Sequence, residues 1–171
     1  MSYTNLLYHI VIRTYRSQKT ICEEHEKELY AFMLEICRNR NVTVYRIGGM
    51  PDHIHLFVGL PSTLAVSKFV QALKSVSSFW LKNNPHFPDF IHWSKEYAAF
   101  TYSLREKATV VNYIRNQKAH HKTQSFEDEY RDFLTKHGVE INEQYFLKDC
   151  PPLSKRAPLS NPTRKCGVRA V

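Results

Sequence analysis

The sequence predicts an α+β fold of the ferredoxin-like, split β-α-β type, with four antiparallel strands covered by two helices on one face. Three observations predict it. Short runs rich in β-branched and aromatic residues alternate with longer segments of helical periodicity, in the order β-α-β-β-α-β-α. The two middle strand segments are separated only by a Gly-Gly-Met-Pro-Asp turn, which favours an antiparallel hairpin. The seventh element is an extra C-terminal helix that bears Tyr113 and is free to lie near the uncovered face of the sheet.

The first three elements show a clear change of period. Residues 5–15 contain many β-branched and aromatic side chains and predict a strand. From Glu23 to Arg38 the spacing becomes helical, and one face carries the apolar residues Leu29, Phe32, Met33 and Ile36. Residues 42–47 predict the second strand, and the turn 48–52 leads directly into the third.

The third strand begins at His53 and is followed by a long amphipathic helix. Ser62 and Thr63 are suitable capping residues for this helix, which extends to Lys82 before an Asn-Asn-Pro stop. A loop precedes the fourth strand, predicted at residues 96–103. The pattern thus completes a four-stranded sheet.

Two further helices are predicted beyond the sheet. One runs from about Glu106 to His121 and bears Tyr113, and a shorter one covers residues 125–137 and ends at Gly138. We divide the chain into a domain of residues 1–149 and a basic, Pro-rich tail of residues 150–171, for which disorder is expected because it has no acidic residue and no periodicity.

Length and composition indicate one globular domain. The chain has 171 residues, of which 43% are hydrophobic. No apolar run approaches the roughly 20 residues of a membrane span, and the N-terminus lacks the pattern of a secretory signal. The four cysteines form no CxxC pair, so neither a zinc knuckle nor a disulfide framework is predicted. We therefore expect a cytoplasmic protein with reduced thiols.

The net charge of +8 suggests a polyanionic partner, but the charge is unevenly distributed. The tail carries five basic residues and no acid, whereas residues 1–149 carry 19 basic and 16 acidic residues. The domain itself is therefore only mildly basic. Charge alone makes nucleic acid a plausible partner without identifying it.

The third strand carries the first candidate site. Because side chains alternate along a strand, His53, His55 and Phe57 share one face, while Ile54, Leu56 and Val58 point to the other. Two imidazoles on one strand face can bind a divalent cation. The alternative interpretation is that the two histidines are buried, hydrogen-bonded residues without a metal.

The tyrosine-bearing helix carries the second group of candidate site residues. Tyr113 and Gln117 are four residues apart, so their side chains meet on one helical face. Two imidazoles and one amide oxygen form a three-ligand site with open positions for a substrate oxygen. A tyrosine hydroxyl is a weak nucleophile at neutral pH because it is mostly protonated. A cation bound next to it would activate a phosphate for its attack. The alternative interpretation is that Tyr113 is a buried anchor of the helix and Gln117 a surface amide.

These residues resemble a known family. Pro51-Asp52-His53-Ile54-His55-Leu56 resembles the HUH motif (histidine, hydrophobic residue, histidine), and Tyr113-x-x-x-Gln117 resembles the tyrosine helix of single-tyrosine HUH transposases. Residues 93–101 look like the strand that precedes that helix. The resemblance covers about residues 3–148 and indicates the IS200-like transposase family of small bacterial insertion sequences.

The resemblance has functional implications. Such transposases cut and rejoin single-stranded DNA at hairpin-marked ends through a 5′-phosphotyrosine link. It implies that His53, His55 and Gln117 bind Mg²⁺ or Mn²⁺ and that Tyr113 is the nucleophile. It also implies a homodimer in which each tyrosine helix completes the partner's active site in trans.

Several alternatives remain open at this stage. Asp52 either orients His53 or serves only to form the turn, and His9, His120 and His121 are not expected to be ligands. Imidazole ligands would also accept Zn²⁺. A domesticated relative acting on chromosomal palindromic repeats would use the same chemistry. A non-catalytic module could instead bind single-stranded nucleic acid by stacking bases on Tyr8, Tyr45 and Phe57.

Overall fold

The computed structural model of the protein describes residues 3–149; the predicted disordered tail lies outside the described residues. The strands are β1 (Leu6–Thr14), β2 (Thr43–Met50), β3 (His53–Leu60) and β4 (Trp93–Tyr102). The helices are α1 (Glu26–Arg38), α2 (Val66–Lys82), α3 (Lys107–Arg115), α4 (Gln117–His120) and α5 (Phe126–Lys136). None of these helices is long and apolar enough to cross a membrane.

The four strands form one antiparallel sheet in the order β2-β3-β1-β4, which confirms the predicted split β-α-β fold. Helices α1 and α2 pack on one face. Between them and the sheet lies the main core, to which β3 contributes Ile54, Leu56 and Val58, as the alternation predicted. Other fully buried members of this core are Ile10, Leu29, Met33, Phe69 and Leu73.

The second face of the sheet is covered by α3 and α5. Phe57 packs with Val110 and Ile114 of α3, while Val11 and Ala98 pack against two phenylalanines of α5. Phe57 is fully buried, so its predicted role as an exposed base-stacking residue is wrong. The tyrosine-bearing helix thus lies on the face of the sheet where the sequence analysis expected it.

The turn of the β2–β3 hairpin is shorter than the sequence predicts. Met50 pairs with His53, which leaves only Pro51 and Asp52 in the turn, whereas a five-residue turn was predicted. Gly49 makes this pairing sterically feasible, since a Cβ atom there would lie 2.2 Å from the carbonyl oxygen of His53. The two glycines that suggested a turn are therefore part of the strand.

The helices differ from the prediction at two places. The predicted single helix from Glu106 to His121 is interrupted at Asn116, whose ψ of 11° is not helical, so that α3 ends at Arg115 and α4 starts at Gln117. Helix α2 starts at Val66 with no side-chain cap, so the predicted capping by Ser62 or Thr63 is wrong.

Helix α5 is as predicted. The Ser125 side chain accepts a hydrogen bond from the Asp128 backbone N–H at its start, and Gly138 follows its end with a φ of 70°. Both signals are local, which is why the sequence sufficed to locate this helix.

Candidate active site

Strand β3 places two histidine side chains beneath α5. His53 and His55 are almost completely buried, and the centroids of their rings are 5.0 Å apart. They lie on the face of the sheet opposite the main core, since β3 alternates along its length.

Each of these histidines is held through its Nδ1 atom. His53 Nδ1 donates to Oδ1 of Asp52 over 2.6 Å, and His55 Nδ1 shares a hydrogen bond of 2.9 Å with Nε2 of His9. Asp52 therefore both forms the turn and fixes the ring of His53. Neither Nε2 atom has a hydrogen-bond partner within residues 3–149, although both are buried. Two ring nitrogens are thus oriented and unpaired.

Burial keeps the His55 and His9 imidazoles uncharged. Desolvation, together with His53 and other nearby imidazoles, lowers the pKa of His55 well below its ordinary value. Desolvation also lowers the pKa of His9 to about 3. With the shared proton on Nδ1 of His55, its Nε2 carries the lone pair that a metal ion needs.

Tyr113 on α3 approaches His55 within one chain, and Gln117 on α4 contacts the carboxylate of Glu129 beside it. The Tyr113 ring is 5.8 Å from the His55 ring, centroid to centroid. Gln117 is 1% exposed, and its Oε1 atom has no hydrogen-bond partner in the described part of the chain. The break at Asn116 does not separate the two side chains, since both contact the same acceptor, Glu129.

Glu129 of α5 is a site residue that the sequence reasoning missed. Its Oε1 atom accepts hydrogen bonds from the Tyr113 hydroxyl and, over 2.7 Å, from Gln117 Nε2. Its Oε2 atom accepts from Nε2 of His121 over 2.8 Å. The available signal was that Glu129 lies between Phe126 and Phe133 at helical spacing, so a carboxylate occupies the buried face of α5.

The phenol of Tyr113 is held in its neutral form. Burial is the largest cause and the Glu129 carboxylate the next, and both raise the pKa of Tyr113 above its ordinary value. A neutral phenol is a weak nucleophile, so an attack by Tyr113 depends on activation of its target.

A cavity of about 350 Å³ opens beside Tyr113, between α3 and α5. Its walls include His9, Tyr102, Phe133, Lys136 and the Tyr113 ring itself. The cavity gives the tyrosine a space in which a substrate can approach.

The ferredoxin-like sheet with a tyrosine helix over a histidine strand agrees with the DNA transposase class that the family match shows. The chain belongs to the IS200-like transposase family, whose model matches residues 2–117. The matched segment contains His53, His55, Tyr113 and Gln117 and ends before α5.

Individual relatives agree with this assignment. The transposases for insertion sequence element IS200 of Salmonella typhimurium strain LT2 and Salmonella typhi are each 25% identical over 117 residues, which is 66% of this chain and 77% of theirs. The crystal structure of a candidate transposase from Deinococcus radiodurans has 26% identity and a TM-score of 0.52, and covers 68% of this chain and 93% of its own.

A second solved structure is that of a REP-associated tyrosine transposase bound to a REP hairpin. It has a TM-score of 0.55 and covers 71% of this chain and 72% of its own. Its identity is 13%, so this likeness supports the fold alone.

Proposed function

We propose that the protein is a transposase that nicks and rejoins single-stranded DNA through Tyr113, using a divalent ion held by His53, His55 and Gln117. One observation carries the proposal. Three buried atoms that lack hydrogen-bond partners in residues 3–149, the two histidine Nε2 atoms and Gln117 Oε1, belong to side chains gathered around Tyr113 and Glu129.

The donor set fits a divalent cation. Unpaired buried polar atoms are costly, and a cation would satisfy all three at once. A bound Mg²⁺ or Mn²⁺ would polarise the scissile phosphate and neutralise charge that develops on it. The unpaired donor atoms thus support a divalent-metal site.

Tyr113 is the proposed nucleophile. Its hydrogen bond to Glu129 orients the hydroxyl, and the cavity beside it leaves room for the phosphate. The Tyr113 Oη–P bond forms as the P–O3′ bond breaks, which leaves a 5′-phosphotyrosine and a 3′-hydroxyl. A second 3′-hydroxyl can reverse the step, so strands are rejoined without ATP.

The proposed substrate is single-stranded DNA with hairpin-marked ends. A REP-associated transposase of the same fold was solved with a REP hairpin bound, which supports a hairpin as the recognised feature. Homodimerisation with sites completed in trans stays a prediction, since a partner is not required for Tyr113 to reach His55. We propose the cytoplasm as the site of action.

The test is a covalent adduct between protein and DNA. Purified protein, Mn²⁺ and single-stranded DNA from either flank of its gene should give a slower band on a denaturing gel. Tyr113→Phe should abolish the adduct and retain DNA binding, whereas Tyr30→Phe, on the opposite face of the sheet, should leave both unchanged. An adduct that persists in Tyr113→Phe would contradict the assignment.

A further inference from the structure

We propose that Glu129 is a further protein ligand of the metal ion, supplied by α5 from outside the segment that the family model matches. The inference rests on the proposed function, because it concerns the same ion. It extends the ligand set beyond His53, His55 and Gln117 to a carboxylate.

Distance is the first argument. Oε2 of Glu129 lies 3.6 Å from Nε2 of His53, and Oε1 lies 3.9 Å from Nε2 of His55. One ligand atom from each of the three residues can be chosen so that all lie within 4.8 Å of one another. Ligands about 2.0–2.2 Å from one ion are separated by distances of this order.

Charge is the second argument. Glu129 is 5% exposed, and the basic side chains of residues 3–149 that approach its carboxylate are the imidazoles of His53, His55 and His121. Neither lysine nor arginine contacts the carboxylate within that range. A buried carboxylate is costly unless a positive charge compensates it, and a divalent ion between Glu129 and the two strand histidines would do so.

Helix α5 is fixed on the site by the residues on either side of Glu129. One turn before it, the Phe126 ring stacks on the His53 ring with centroids 4.1 Å apart. One turn after it, Phe133 lies edge-on to His9 at 4.9 Å. The hydrogen bond from His121 sets the carboxylate orientation. Glu129 is thus rigidly placed, as a ligand requires.

The added carboxylate changes the expected metal preference. Two imidazoles and an amide form a neutral set, whereas a carboxylate adds a hard, anionic oxygen. Mn²⁺ accepts this mixed set well. Glu129 should therefore contribute strongly to Mn²⁺ affinity.

The test measures metal binding directly. Mn²⁺ is titrated into the metal-free full-length protein by calorimetry and by electron paramagnetic resonance, without DNA. Glu129→Gln is isosteric and should weaken Mn²⁺ binding by about tenfold or more. The matched control is Glu127→Gln on the same helix, where the side chain is 61% exposed, and its affinity should equal that of the wild type.

His53→Ala separates this inference from the proposed function. Loss of binding in both His53→Ala and Glu129→Gln supports Glu129 as a ligand. Loss in His53→Ala with wild-type affinity in Glu129→Gln overturns the inference and leaves the proposed site standing. Wild-type affinity in both overturns the inference and the proposed site together.

A second variant keeps the test valid if Glu129→Gln does not fold. Glu129→Asp keeps the buried charge but withdraws it by one methylene group. If Glu129→Gln melts below the assay temperature, a folded Glu129→Asp protein should show the same loss of Mn²⁺ affinity, and unchanged affinity in that protein would overturn the inference.

Discussion

Nε2 of His9 and Nδ1 of His55 lie 2.9 Å apart, in a hydrogen bond buried between β1 and β3. The bond fixes the orientation of the His55 ring. His9→Phe retains a ring of similar size but removes the partner. We expect Mn²⁺ affinity to fall by about 10–100-fold, as when other partners of metal-bound histidines are removed, and the free energy of unfolding to fall by about 1–3 kcal/mol. Calorimetric titration and urea unfolding measure the two effects.

The exposed histidine His86, next to α1, provides the control for this variant. His86→Ala should bind Mn²⁺ at the proposed site as the wild type does. A His9→Phe protein with wild-type affinity would show that the bond to His55 has no role in metal binding.

Gly49 in β2 and Gly59 in β3 both lie in the β2–β3 ladder, and alanine at each position tests how closely the two strands approach. A Cβ atom at Gly49 would be 2.2 Å from the His53 carbonyl oxygen, whereas at Gly59 its nearest neighbour would be the Tyr45 ring at 3.4 Å. Gly49→Ala should therefore destabilise the fold by roughly 3 kcal/mol, the upper end of the overpacking range, and weaken Mn²⁺ binding by displacing His53. Gly59→Ala should be nearly neutral in thermal unfolding. Equal melting temperatures for the two variants would contradict this account.

A buried ion pair anchors the last described residues to the sheet. Arg13 and Asp149 are 2.9 Å apart, and their side chains are 4% and 3% exposed. Asp149→Ala would leave Arg13 with only Glu96 as an ion-pair partner in the described chain, so we expect a loss of about 3 kcal/mol in the free energy of unfolding. Glu143→Ala removes one partner of Arg131 in an exposed pair and should lower the free energy of unfolding much less, because solvent screens that pair. Urea unfolding measures the loss of stability in each variant. Similar losses in Asp149→Ala and Glu143→Ala would show that burial does not strengthen the ion pair between Arg13 and Asp149.

Two phenylalanines of α2 test which face of that helix forms the core. Phe69 is fully buried, whereas Phe79 is 74% exposed. Phe69→Ala should lower the free energy of unfolding by about 3–5 kcal/mol because it leaves a cavity. Phe79→Ala should change it by less than about 0.5 kcal/mol. A large loss from Phe79→Ala would indicate that this ring packs in a way the single chain does not show.

The fold could be predicted because its signals are local and periodic. The alternation in β3 correctly assigned Ile54 to the main core and His53 to the opposite face. The extent of β2 could not be predicted, because the glycines at its end favour a turn in isolation. Gly49 is a strand residue because it pairs with Ile54, and the close approach of the His53 carbonyl requires glycine at this position. The break at Asn116 was missed since Tyr113 and Gln117 are spaced as in a continuous helix.

The residues of the candidate site could be predicted from the sequence where they lie in short motifs. His53 and His55 occur together on a strand, and Tyr113 and Gln117 on one helical segment. Glu129 belongs to no such motif, since it is 76 residues from His53 and is brought there by the packing of Phe126 on that histidine. Tertiary contacts alone place it in the site.

The assembly of Tyr113 and His55 within one polypeptide has a genetic corollary. If each catalytic unit is built from a single copy, then a copy lacking His53 and a copy lacking Tyr113 cannot rescue each other when expressed in the same cell. Exchange of the tyrosine helices between subunits would instead allow each defective copy to supply what the other has lost.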